Sequence, residues 1–265
     1  MQWIIELYRS AMFKKLVMAV TGLMLFGFVL SHMTGNLKVY QGQYETGAHA
    51  GEYKIDVYAE GLRELGAPIL GHSQFLWIFR IGLLAAVALH ILSAWQLTLI
   101  NRRARPQGYT KQTNQSSTYA SRTMRYGGVI LLLFIVYHLL HLTTGHVHSD
   151  FVHGQVYGNF YKGFTNPLVS GFYVLANIAL GLHLYHGLWS LFQTLGINGK
   201  RFNAMRRQFA IAFALVISLA NISFPVSVLS GMLAPPSYEV PSNETSEVAS
   251  PAAETTAPTA TAEAH

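Results

Sequence analysis

Cysteine is absent from the sequence, which excludes disulfides, thiolate-bound iron–sulfur clusters, covalent c-type haem and cysteine zinc sites within this chain. Charge is scarce as well. Only 11% of residues are Asp, Glu, Lys or Arg, against about 25% in a soluble domain, and that deficit argues against an ordinary soluble enzyme. With 51% hydrophobic residues over 265 positions, the chain has room for several membrane spans of about 20 residues each. No internal repeat is evident. What stands out is histidine, with 12 residues against 12 carboxylates in the whole chain.

Five long apolar stretches run over residues 16–34, 76–100, 126–145, 167–195 and 208–233, each near or above the roughly 18-residue threshold for a spanning helix. None contains Asp or Glu. The first is followed by no cleavage-site pattern and reads as a retained span. The expected fold is therefore an all-α integral membrane protein: an N-terminal segment 1–15, a five-helix domain 16–233 and a tail 234–265. The tail turns abruptly to Pro, Ala, Thr, Ser and Glu, which cannot bury enough apolar surface to offset ordering, so it is expected to be disordered. Between spans 1 and 2, Ile55, Tyr58, Leu62 and Leu65 recur at helical spacing. They predict a short amphipathic helix on the outer surface, closed by a turn at Gly66-Ala67-Pro68.

Basic residues orient the spans. Arg9, Lys14 and Lys15 precede span 1; Arg102, Arg103, Arg105, Lys111, Arg122 and Arg125 join spans 2 and 3; Lys200, Arg201, Arg206 and Arg207 join spans 4 and 5. Thirteen of the 18 Lys and Arg thus fall on one side, which the positive-inside rule makes cytoplasmic. The expectation is a multi-pass protein of the cell inner (cytoplasmic) membrane, with its N-terminus inside and its C-terminus outside. The charge of +6 is a consequence of topology and implies no nucleic-acid partner.

Ionisable side chains in hydrocarbon are costly and mark functional sites. His32 lies in span 1, His90 in span 2, His138 and His141 in span 3, and His183 and His186 in span 4. A lone intramembrane histidine would read as packing glue. One on each of four consecutive spans instead suits a four-helix bundle holding cofactors between facing helices. Haem b fits, because two imidazoles from opposite helices can clamp one porphyrin, leaving an electron carrier without an open coordination site. Four ligands would hold two haems. By helical rise, His32 is about 25 Å from Lys15 and His138 about 20 Å from Arg125, both toward the outer side. In spans 3 and 4 the two histidines stand at i and i+3, on adjoining faces, and spacing alone does not choose between them.

Other polar residues carry weaker signals. Ser10, Lys14 and Lys15 open span 1 on the inner side, where they could border a quinone or serve as ordinary interface residues. Arg125, Arg206 and Arg207 are equally open. His146, His148 and His153 crowd the loop after span 3, where a solvated loop is favoured over a metal site. Trp77, Trp95 and Trp189 suit interface anchoring or cofactor packing, with Trp3 a surface anchor. A transporter using histidines as a proton relay would more often show intramembrane carboxylates, repeats or broken helices.

The segments Ser31-His32-Met33-Thr34-Gly35-Asn36, Ala88-Leu89-His90, Tyr137-His138-Leu139-Leu140-His141 and His183-Leu184-Tyr185-His186-Gly187-Leu188-Trp189-Ser190 resemble the cytochrome b subunit of succinate dehydrogenase/fumarate reductase. The likeness is to its single-anchor, five-helix, two-haem type and covers roughly residues 10–233. It implies a membrane anchor that relays electrons between an iron–sulfur subunit and membrane quinone through two bis-histidine haems b. FAD and iron–sulfur clusters would reside only in the partner subunits, and a higher oligomer of the complex is possible. It also implies His32 and His138 as axial ligands of the distal haem, and His90 and His183 as those of the proximal haem. Family register favours His138 and His183, leaving His141 and His186 as groups behind the ligands or as alternative ligands. Ser10 and Lys14 are the implied quinone-side candidates. The same groups serve succinate oxidation and fumarate reduction, and menaquinone and ubiquinone alike. A cytochrome b or gamma subunit of another quinone-linked dehydrogenase is the nearest alternative. The quinol–cytochrome c type would instead place its ligands as two widely spaced pairs on two helices.

Overall fold

The structure, a computed structural model, describes residues 2–104, 119–197 and 199–237. Arg105, Lys111 and tail residues 238–265 lie outside the described residues. Among the described residues eight α-helices follow in order: α1 (Gln2–Arg9), α2 (Ala11–Asn36), α3 (Lys54–Glu64), α4 (Gln74–Arg103), α5 (Tyr119–His138), α6 (Val156–Thr165), α7 (Pro167–Thr194) and α8 (Lys200–Leu229). Among the described residues, five segments are long and apolar enough to cross a membrane: Ala11–Gln41, Gln74–Arg103, Met124–Thr143, Pro167–Thr194 and Arg201–Leu229. The protein is thus all-α with five candidate spans. The first span begins earlier than hydropathy alone predicts, because Ser10 caps it. Its hydroxyl accepts from Phe13 N at 3.1 Å, and a capped start holds the helix beyond the apolar run.

The amphipathic segment between spans 1 and 2 is α3, and Gly66 takes the turn after it at φ 85°. Two further helices were not anticipated. α1 precedes span 1, and α6 stands where a loop was expected between spans 3 and 4. Tertiary contacts account for α6. Asp56 of α3 accepts from the backbone N–H of Tyr157 at 2.9 Å, so a carboxylate remote in sequence caps its N-terminus. Burial pushes that carboxyl above the usual range, while the backbone N–H groups of Tyr157 and Val156 draw it down. Tyr157 stacks on Tyr53 with ring centres 3.9 Å apart, and its hydroxyl donates to the Ala234 carbonyl at 2.8 Å. Burial pushes that phenol up to about 12. The chain just beyond span 5 is therefore tied to α6 as far as Ala234.

The helices pack unevenly. α7 is central, lying against α5 and α8, while α4 leans on α2. Small residues let α7 and α8 approach: Ser170, Ala176, Ala210 and Ala214 are all buried, and a Cβ on Gly181 would collide with Ser218 Oγ. Close backbone approach of this kind replaces the hydrophobic drive that lipid cannot supply. Met33, Leu184, Ala214 and Ile217 form the buried apolar centre joining α2, α7 and α8. By contrast, α2 with α5, and α4 with α7, barely touch. Those are the pairs that carry facing histidines.

Candidate functional site

A cavity of about 2860 Å³ runs between the loosely packed helices, several times the roughly 300–1,000 Å³ of a single small-molecule site. His32, His90, His138, His183 and His186 line it. Its wall extends from Ser10 and Lys15 at one end of α2 to Phe151 and His153 beyond the other.

Two imidazole pairs face each other across it. The rings of His32 (α2) and His138 (α5) lie 5.8 Å apart, and those of His90 (α4) and His183 (α7) lie 6.3 Å apart. A metal bound by two opposed imidazoles at roughly 2.0 Å per bond would place the ring centres about 6 Å apart. Both pairs match that spacing. The pairs occupy different heights along α2: a Cβ on Gly22 would stand 3.3 Å from His90 Cε1, and Gly22 precedes His32 by about 15 Å of helix.

Each pair has its own support. Phe28 stacks on His32 at 5.2 Å and Phe134 lies against His138 at 5.7 Å, in both cases one helical turn earlier on the same face. His90 Nδ1 is 3.2 Å from Thr21 Oγ1, whose proton goes to the Val17 carbonyl at 2.7 Å. With its proton on the Val17 carbonyl, the threonine oxygen is free to accept from His90 Nδ1–H, the tautomer in which Nε2 of that ring is the unprotonated nitrogen. His183 Nδ1 is buried without a hydrogen-bond partner, a costly condition for a polar atom whose ring has no bonding partner within the polypeptide.

The i+3 histidines are engaged by hydroxyl partners. After His138 the helix widens through Leu139–Thr143, with Thr144 N donating to the Leu139 carbonyl at 2.9 Å in an i→i+5 bond. The wide turn is of the π type that recurs at functional sites. It leaves His141 only 2% exposed and off the cavity wall. There it donates to or accepts from Tyr173 Oη at 3.0 Å and meets His148 at 5.0 Å between ring centres. His186 lines the cavity but is held by Ser190 Oγ, 3.0 Å from its Nε2.

Gly163 of α6 seals His141 in place: a Cβ there would stand 2.8 Å from His141 Cε1 and 3.0 Å from Nε2. Gly163→Ala is expected to destabilise the fold by about 1–3 kcal/mol through overpacking, read as a lower midpoint in thermal unfolding of the detergent-solubilised protein. An unchanged midpoint would show that the imidazole yields freely.

The inner-side candidates are engaged in local structure. Ser10 lines the cavity, but its hydroxyl donates to Leu7 O at 2.7 Å and caps α2. Lys14 Nζ donates to the Tyr8 carbonyl at 2.5 Å and sits 4.7 Å over the Tyr8 ring, so Lys15, not Lys14, reaches the cavity. Arg206 is 4% exposed and stacks 4.1 Å over Trp189, a packed cation–π contact. Trp77 and Trp95 are exposed. In the loop, His146 is bonded to Thr144, whereas His148 is half-buried and held below the ordinary histidine range by burial.

These donors suit a haem better than a bare ion. Among the described residues no three His, Cys, Asp or Glu side chains converge as a metal site, so neither pair approaches the four-donor set of a zinc centre. A porphyrin carries its own equatorial donors and asks the protein only for opposed axial imidazoles.

Sequence reasoning missed Thr21 and Tyr173, and only their polarity within apolar runs could have signalled them. No curated protein and no solved structure matches this chain. Residues 98–221, which include the histidines of spans 3 and 4 but not His32 or His90, match the model of the family described as succinate dehydrogenase/fumarate reductase transmembrane subunit. That match supports the family resemblance carried by the motifs, and with it a multi-pass membrane subunit of the succinate dehydrogenase/fumarate reductase complex.

Proposed function

We propose that this chain is the cytochrome b anchor of succinate:quinone oxidoreductase, holding two bis-histidine haems b that carry electrons between an iron–sulfur partner subunit and membrane quinone. The observation that carries the reading is the double pairing: His32 with His138, and His90 with His183, at different heights in one cavity. His90 and His183 would hold the inner haem, and His32 and His138 the outer one. The positive-inside rule supports this order, since the start of α2 is the basic side. Thr21 would keep the His90 proton on Nδ1, and the stacked Phe28 and Phe134 would fix their neighbouring imidazoles. Succinate chemistry itself would belong to the flavoprotein partner.

Purified protein is expected to contain two non-covalent haems b per chain, low-spin when oxidised. Pyridine haemochrome analysis with protein quantitation measures the ratio. A value near zero would end the redox reading.

A further inference from the structure

The geometry points to Tyr173 as the residue that positions His138 for axial ligation and, through the same hydroxyl, withdraws the neighbouring His141; this rests on the two-haem reading above. Tyr173 Oη lies 3.3 Å from His138 Nδ1 and 3.0 Å from His141 Nδ1. A phenol has one proton to donate, so the proton positions in this trio are linked. For His138 to bind iron through Nε2 as a neutral imidazole, its Nδ1 must carry the proton and donate it to Tyr173. The Tyr173 O–H is then free to donate to His141 Nδ1. That bond leaves the His141 proton on Nε2, so neither nitrogen of His141 offers a lone pair to a metal. One hydroxyl thus selects between two histidines that helical spacing leaves equivalent.

The phenol is well held for this task. Its ring is buried between the edges of Phe134 at 5.1 Å and Phe164 at 4.8 Å, and its own backbone carbonyl accepts from Asn177 Nδ2 at 2.9 Å. The π-type turn and Gly163 complete the arrangement, since His141 is buried against Gly163 and off the cavity wall that His138 and Tyr173 line.

Hydrogen bonding at Nδ1 raises the basicity of a ligating imidazole, which favours the oxidised metal. In membranes carrying the complete complex, Tyr173→Phe keeps the ring packing and removes only the hydroxyl. Two haems per chain should remain. The outer haem should become easier to reduce by about tenfold in its oxidised-to-reduced ratio, ~59 mV for one electron, with altered low-spin EPR g-values. The inner haem should be unmoved on both readouts. An unchanged outer potential and EPR signal with two haems bound would overturn the role of Tyr173. If Tyr173→Phe does not assemble, His141→Ala decides: two haems are expected, and loss of the outer one would show that His141 is a ligand and Tyr173 positions the wrong ring. A wild-type chain without haem would instead overturn the parent reading.

Discussion

Replacing His183 with alanine is expected to halve the haem content, from two per chain to one, and to reduce succinate-to-quinone electron transfer to background. The ring of His183 faces that of His90 across the cavity, and the neighbouring His186 has its Nε2 engaged by Ser190, so it is not expected to substitute. His90→Ala should behave alike. His32→Ala and His138→Ala should remove the other haem and leave the inner one's absorbance largely intact, because the two sites draw their histidines from different helix pairs at different heights in the cavity. The i+3 residues are the internal control. His186 is bonded to Ser190 on its own helix and His141 lies off the cavity wall, so alanine at either should keep two haems while shifting their potentials. Loss of a haem in His186→Ala, with both retained in His183→Ala, would move the span 4 ligand by one helical turn. Haem content alone scores every variant before any activity assay.

Orientation in the membrane is the second large, all-or-none effect. A reporter fused after residue 233 is expected on the outer side, and one inserted between residues 105 and 118 on the cytoplasmic side. The basis is the 13-to-5 division of Lys and Arg, a bias that sets topology when it falls in short loops near span ends. The buried Arg206 belongs to packing as much as to this count, because it stacks on Trp189. Enough basic residues remain around it to hold the direction. The reverse result would exchange the inner and outer haem and place His32 and His138 beside the iron–sulfur partner.

Much of the architecture was legible in the sequence. The five apolar runs, the amphipathic helix after span 1 and the turn at Gly66 all follow from hydropathy and periodicity, because each is a local property of consecutive residues. α6 was not legible, since its first turn is capped by Asp56 from a distant helix. The early start of α2 lay in plain view as Ser10, but a cap is easily outweighed by a hydropathy boundary.

For the site the division is sharper. The sequence by itself determined that four spans each carry histidine within hydrocarbon and that no carboxylate accompanies them, which narrows the chemistry to imidazole. The resemblance implied the pairs His32 with His138 and His90 with His183, but hydropathy and spacing by themselves could not say which rings meet. Helical period places a residue on a face of its own helix, whereas the partner across the gap depends on how helices pack, and the tertiary structure sets His32 against His138 and His90 against His183. At His138 and His141 the period itself is broken by a π-type turn. The separation of those two rings therefore rests on a hydroxyl from α7 and on the missing side chain of Gly163 in α6. Both are contacts between residues remote in the chain, and such contacts exist only once the helices have packed.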